Sequence, residues 1–194
     1  MNLQEAIARA ENGDIDAMVD VAEYIVWEEN VKSDIDPELG RKVLEYLGKA
    51  IEAGNDQAMN LLGTMYYSSR VVEKDQSKAM EWYQKATEKG NALSMLNLGY
   101  GYYYGNGLEK NMEMAYKMFT KAALLGQQMY SSACLRLGRC FRDGIGTEKD
   151  LLAAEHFFAE AHYYFKVREA NGDYFVEEGL KESKKALADI LKKS

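Results

Sequence analysis

The sequence predicts an all-α chain, a solenoid of stacked antiparallel helix pairs, and three observations carry that prediction. A stretch of 36 residues repeats along the chain: Gly54-Asn55, Leu62-Gly63, Tyr66, Ala79, Tyr83 and Ala86 recur as Gly90-Asn91, Leu98-Gly99, Tyr102, Ala115, Phe119 and Ala122. A register kept at a period of 36 to 41 over four units is the signature of a repeat architecture, because one such unit buries its apolar stripe only by stacking on its neighbours. Within each unit the apolar residues fall at helical spacing on either side of a Gly-rich break, as at Gly105-Asn106-Gly107. A single proline among 194 residues suits nearly unbroken helix.

In chain order, residues 3–11 form a short capping helix or the second half of an incomplete repeat, closed by Asn12-Gly13. Asp14 and Asp16 are candidates to cap a helix running to about Asn30. The polar run Lys32 to Asp36 precedes Pro37, which suits a first helical position, so a helix over 37–53 follows. This first repeat needs a shift of 41 in its first helix and 36 in its second, so about five residues are inserted between them. The 31–36 loop reads as a tolerated surface insertion, with closure over a bound partner as the functional alternative. Helices over 56–69 and 77–89 make the second repeat, and 92–104 and 112–125 the third, which closes at Gly126.

The fourth repeat matches with a shift of 39, through Leu137-Gly138, Phe141, Gly144-Ile145-Gly146, Ala154, Phe158 and Ala161. Its first helix is placed over 127–142. Its second, from about Lys149, carries Phe165 where a terminal glycine is expected and so runs one to two turns longer. Residues 174–178 and 180–191 read as a C-terminal cap, with Leu180, Leu187, Ile190 and Leu191 packing and the lysines outward. The expected repeats are thus 13–53, 54–89, 90–125 and 126–165, followed by a cap over 166–194, all in one domain spanning 1–194. Glycine inside a helix costs roughly 1 kcal/mol relative to alanine. The sequence accepts that cost at Gly63, Gly99 and Gly138, which points to close helix crossing at each.

These runs resemble the Sel1-like repeat, a relative of the tetratricopeptide repeat. They are LGYGYYYGNG (98–107) with AYKMFTKAALLG (115–126), LGRCFRDGIG (137–146) with AEHFFAEA (154–161), and LGTMYYSSRV (62–71) with AMEWYQKATEKG (79–90). The likeness covers about residues 12–165. It departs from the pattern at Ser69 and Val71, which stand where the third repeat has Gly105 and Gly107, and in the first repeat, which lacks the helix and loop glycines. The resemblance implies a curved right-handed α/α superhelix used as an adaptor or interaction module.

Composition narrows the function. A formal net charge of −7 opposes binding along a nucleic-acid backbone, which requires a basic surface. No 18-residue apolar stretch is present, so no membrane association is expected, and the amphipathic start MNLQEAIARAENG lacks signal-peptide character, which makes the cytoplasm the expected location. Cys134 and Cys140 lie six apart on one helix, about 240° and roughly 9 Å from each other, too far to bridge. Reduced core thiols are expected. His156 and His162 diverge on one helix and supply no metal-ligand set, and no nucleophile stands with a base, so no catalytic residue, metal or cofactor is assigned.

The fourteen tyrosines are the residues most open to a functional reading. Tyr103 and its turn neighbours Tyr100 and Leu96 align with Tyr67, Thr64 and Asn60 one repeat earlier. They align with Arg142, Arg139 and Leu135 one repeat later. By analogy with tetratricopeptide repeats these positions would line a concave face, with Glu23 at an acidic end and the arginines at a basic end. Tyrosine and arginine supply much of the energy at interfaces. The expected binding set is therefore Glu23, Asn60, Thr64, Tyr67, Leu96, Tyr100, Tyr103, Arg139 and Arg142. Its partner would be another protein or peptide, with the arginines receiving acidic or C-terminal carboxylates. A self-assembling structural module is the alternative reading, and a hydrolase or small-ligand protein a more distant one.

Overall fold

The computed structural model describes residues 2–27, 35–125, 129–173 and 176–192. Its helices are α1 (Leu3–Glu11), α2 (Ile15–Trp27), α3 (Pro37–Glu52), α4 (Asp56–Ser68), α5 (Gln76–Glu88), α6 (Ala92–Tyr104), α7 (Met112–Leu124), α8 (Tyr130–Asp143), α9 (Leu151–Ala170) and α10 (Glu177–Leu191). They form an all-α helical repeat arrangement. The chain divides into two compact units, 1–94 and 95–194, with the boundary inside α6.

Short polar side chains start the helices at equivalent places. A carboxylate or amide oxygen accepts from the backbone N–H three residues on: Asp14 from Ala17, Asn55 from Ala58, Asp75 from Lys78, Asn91 from Ser94, Asn111 from Met114 and Asp150 from Ala153. Each satisfies one of the N–H groups that a helix start leaves without a partner. Asp36 does the same for Glu38, ahead of Pro37. Of the two aspartates expected to start α2, Asp14 makes the cap and Asp16 sits in the first turn.

The turns within the pairs α4–α5, α6–α7 and α8–α9 are fastened in one way. The backbone N–H of the second helix's cap donates to the carbonyl of the repeat aromatic nine residues earlier: Asp75 to Tyr66, Asn111 to Tyr102 and Asp150 to Phe141, at 2.9–3.0 Å. The turn backbone is left-handed at two places per repeat, Gly105 and Gly107, then Gly144 and Gly146. Ser69 and Val71 adopt the same conformation at φ 60° and 66° without being glycine. Val71 packs on the core of the first unit, against the backbone of Gly40 in α3. The turn therefore holds its shape through tertiary contacts where its residues disfavour it.

The helix glycines are explained by what faces them. A Cβ on Gly63 would lie 2.8 Å from the Tyr83 ring, and one on Gly138 2.7 Å from the Phe158 ring. Gly99 meets the ring of Phe119 in the same way. Each of these three repeats thus slots a buried aromatic from its second helix into the gap left on its first, and Phe119 and Phe158 are among the most deeply buried side chains.

In the first unit the core runs through α1 to α4 around Val21, Ile25, Val43, Leu47, Leu61 and Met65. The second unit holds one cluster around Leu96, Phe119, Leu137 and Cys140 and another around Cys134, Phe158, Phe165, Leu180 and Ile190. α9 has 20 residues against 13 in α5 and α7, an excess of about two turns. Its buried Phe165 fills the space over Gly179 at the start of α10. Leu180, Leu187 and Ile190 pack as expected, whereas Leu191 is exposed and Ser183 and Ala186 take the inward positions. The inserted segment at 28–34, Gly126 and Tyr174 lie outside the described residues, so most of the 31–36 loop does too. Its last two residues are placed, Ile35 against the core and Asp36 as a helix cap.

Candidate functional site

The candidate site lies in the second unit, where α6 and α8 present rings and guanidinium groups beside α10. On α6, Tyr100, Tyr103 and Tyr104 form a connected aromatic group. The Tyr100 and Tyr104 rings stack at 6.4 Å, Tyr103 meets Tyr104 edge-on at 4.8 Å, and Tyr100 meets the buried Phe119 edge-on at 5.6 Å. With Arg136, Arg139, Cys140 and Ile145 they line a narrow, mainly apolar slot with about 10 Å³ of room. That is space for about one water or methyl group.

A polar cleft of about 330 Å³ adjoins it and shares Tyr103 and Arg139. It is completed by Arg142, Asp143, Glu182, Lys185, Ala186 and Asp189. Here Arg139 donates through Nε to Glu182 of α10, and Arg142 makes a two-pronged pair with Asp143 at 2.8 and 2.6 Å. The cations Arg139, Arg142 and Lys185 are thus matched by Asp143, Glu182 and Asp189. The adjacent Arg142 guanidinium holds the Asp143 carboxyl below its ordinary range. The basic end anticipated from Arg139 and Arg142 is internally neutralised, because α10 and the end of α8 bring their own carboxylates to it.

The expected residues fare differently. Tyr100, Tyr103, Arg139 and Arg142 come together at this surface. Leu96 does not join them: it is 2% exposed within the core beneath α6. Asn60 is 0% exposed, its Oδ1 accepting from Ser94 Oγ at 2.9 Å, so it too is structural rather than a surface contact. In the first unit, Glu23 accepts from Gln57 Nε2 at 2.7 Å, and Thr64 Oγ1 donates to the Asn60 carbonyl and lies 3.2 Å from Tyr83 Oη. Tyr67 is exposed. Arg136 was not anticipated. It lies one turn before Arg139 on the same helical face, and that spacing was the available signal. The carboxylates of α10 carried no such signal, being more than 40 residues away from the arginines they meet.

No group of acidic, histidine or cysteine side chains among the described residues is arranged to hold a metal ion. Cys134 and Cys140 are free and buried, and burial pushes both thiols up to about 11. His162 Nδ1 lies 3.1 Å from Ser183 Oγ, and His156 is exposed. No described helix is long and apolar enough to cross a membrane.

Comparison with known proteins agrees with this construction. No curated protein matches the chain. Among solved structures it is similar to c5321, described as a protective antigen present in uropathogenic Escherichia coli strains displaying an SLR fold. That likeness has a TM-score of 0.69 at 22% identity, over 98% of this chain and 44% of that one. A Sel1 repeat protein from Oxalobacter formigenes follows at 0.64 and 23%, over 93% and 48%. Cysteine rich protein B of Helicobacter pylori reaches 0.51 and 31%, over 69% and 92%. The chain spans less than half the length of the first two. Sel1 repeats match at 56–91, 92–127 and 131–164, more than half of the chain, while the expected first repeat is not matched. With the helix glycines seated against their partner rings in all three matched repeats, the chain belongs to the Sel1 repeat family, whose typical role is protein–protein interaction.

Proposed function

We propose that the chain is a non-catalytic scaffold that binds a polypeptide segment along the Tyr100, Tyr103, Arg139 and Arg142 surface of its second unit. The observation that supports this reading most is the pairing of an aromatic slot with a polar cleft through two shared residues, Tyr103 and Arg139. Such a surface offers apolar area at low entropic cost beside hydrogen-bonding groups, the combination that interfaces use. Its lining contains no nucleophile set against a base. A polypeptide is favoured over nucleic acid because the cleft's charges balance and the whole chain carries −7. A reducing, cytoplasmic setting belongs to the same proposal and is supported by the two buried free thiols.

The test is capture of partners by the wild type and by Tyr103→Ala combined with Arg142→Ala, with each substitution expected to cost about 1–3 kcal/mol of binding. A partner identified with the wild type should be lost from the double variant. Unchanged capture by a folded double variant refutes this location.

A further inference from the structure

We infer that Arg136 receives the free C-terminal carboxylate of a bound polypeptide whose last side chain is small and apolar. The inference rests on the polypeptide-binding reading above and specifies which end of the partner docks.

The arginines of this chain are mostly committed. Arg9, Arg41, Arg139, Arg142 and Arg168 each sit on a carboxylate of the chain itself. Arg136 does not. Its Nε donates to Tyr100 Oη at 2.7 Å, and its guanidinium carbon lies 5.0 Å from the centre of the Tyr100 ring. Among the described residues no carboxylate lies within ion-pair distance of it, and its two terminal nitrogens make no other hydrogen bond. One edge of the fork is therefore fixed by a phenol while the other keeps its donors unspent. A planar fork with free terminal N–H groups fits a carboxylate.

Position then identifies the source of that carboxylate. Arg136 lines the same slot as Tyr100, Tyr103, Phe119, Cys140 and Ile145, so the anion and an apolar group must reach the site together. An acidic side chain inside a peptide occupies its own residue's side-chain position, leaving the apolar group to a neighbour one or more residues away. A C-terminal residue carries both on one Cα. The slot's room of about 10 Å³ suits a side chain of about a methyl group, as in a terminal alanine. The matched charges of the adjoining cleft give the rest of the segment polar contacts without competing for the carboxylate.

The probe is acetyl-Gly-Ser-Gly-Ser-Ala with a free carboxylate. It is compared with its C-terminal amide and with an amidated peptide carrying an internal Glu before the Ala. Binding to the full chain is followed by NMR at the Arg136 Nε–H and the Tyr100 ring. The free acid should bind at least about ten-fold more tightly than either amide, the scale of a hydrogen bond to a charged group. That preference should shrink with added salt. Arg136→Gln should abolish it, and Tyr100→Phe, which frees Nε but keeps the ring, should reduce it. Circular dichroism melts report whether each variant folds.

Equal binding of acid and amide at this face overturns the inference and leaves the polypeptide-binding reading standing. Equal binding of the internal Glu peptide overturns the C-terminal assignment. Absence of any shift with the free acid up to about 10 mM overturns the site as a carboxylate receptor. The broader reading is judged separately by partner capture with Tyr103→Ala and Arg142→Ala.

Discussion

The same substitution, glycine to alanine inside a helix, should have opposite signs at two places in the first unit. Gly48 in α3 is exposed, and a Cβ added there meets nothing within 4 Å. Alanine at that site removes only the backbone cost of glycine, so Gly48→Ala should stabilise by up to about 1 kcal/mol. Gly63 in α4 has the same cost to recover, but its added Cβ would stand 2.8 Å from Cδ1 and Cε1 of Tyr83 and 3.1 Å from the Ala79 carbonyl. The ring is 3% exposed and its hydroxyl is held by Thr64 Oγ1 at 3.2 Å. The obstructing carbonyl belongs to α5, so relief requires moving a helix. Overpacking of this kind costs about 1–3 kcal/mol. Set against the propensity gain of about 1 kcal/mol, Gly63→Ala should lose up to about 2 kcal/mol, or up to about 8 °C of Tm for a chain of this size. Thermal melts by circular dichroism and urea titrations measure both variants. Adding Tyr83→Leu should remove most of the Gly63→Ala penalty, measured against Tyr83→Leu alone. A Gly63→Ala protein stabilised as Gly48→Ala is, or one whose stability relative to its parent is unaffected by Tyr83→Leu, refutes the claim that the ring dictates the glycine.

Tyr83 also makes a pH prediction. Burial pushes its hydroxyl up to about 12 against an ordinary 10. The neutral form is favoured in the fold, so its contribution is complete below pH 10 and is lost as pH rises toward 12. Over that window wild type should lose about 2–3 kcal/mol more than Tyr83→Phe in denaturant titrations. Cys134 and Cys140 should resist a thiol reagent at pH 8 in the native state and both react after denaturation. Rapid native labelling, or a mass two protons below that of the reduced chain, contradicts this. A double-mutant cycle on Arg139 and Glu182, both about one-quarter to one-third exposed, should give a coupling of about 1 kcal/mol. A coupling near zero would mean that α10 is not tied to the cleft through this pair.

The repeat was legible because its determinants are local and periodic. Leucine, glycine and an aromatic at fixed offsets specify a helix face, and the ring that fills the glycine's gap stands twenty residues later in each of the three repeats. The site was legible only where it reused that period, as with Tyr100, Tyr103, Arg139 and Arg142. Asn60 and Leu96 were misplaced because helix spacing assigns a residue to a face without saying how many neighbours cover it. Asn60 is polar and yet buried, since Ser94 supplies a donor that sequence polarity cannot announce. The pairing of Arg139 with Glu182 joins residues 43 apart with no repeated spacing, so only folding reveals that α10 neutralises the cleft.

The side-chain bonds of the first unit limit how freely its repeats could be exchanged. Gln57 donates to Glu23 at 2.7 Å, Asn91 to Asp56 at 2.8 Å, and Ser94 to Asn60 at 2.9 Å, each across about one repeat length. Excising residues 56–91 would leave the backbone signature in phase while bringing Leu93 to the place of Gln57, opposite the carboxylate of Glu23. Modules that look alike in their glycines and rings therefore differ at their seams. Duplication or loss of one repeat would be punished at the junction, which gives this array an address for every unit.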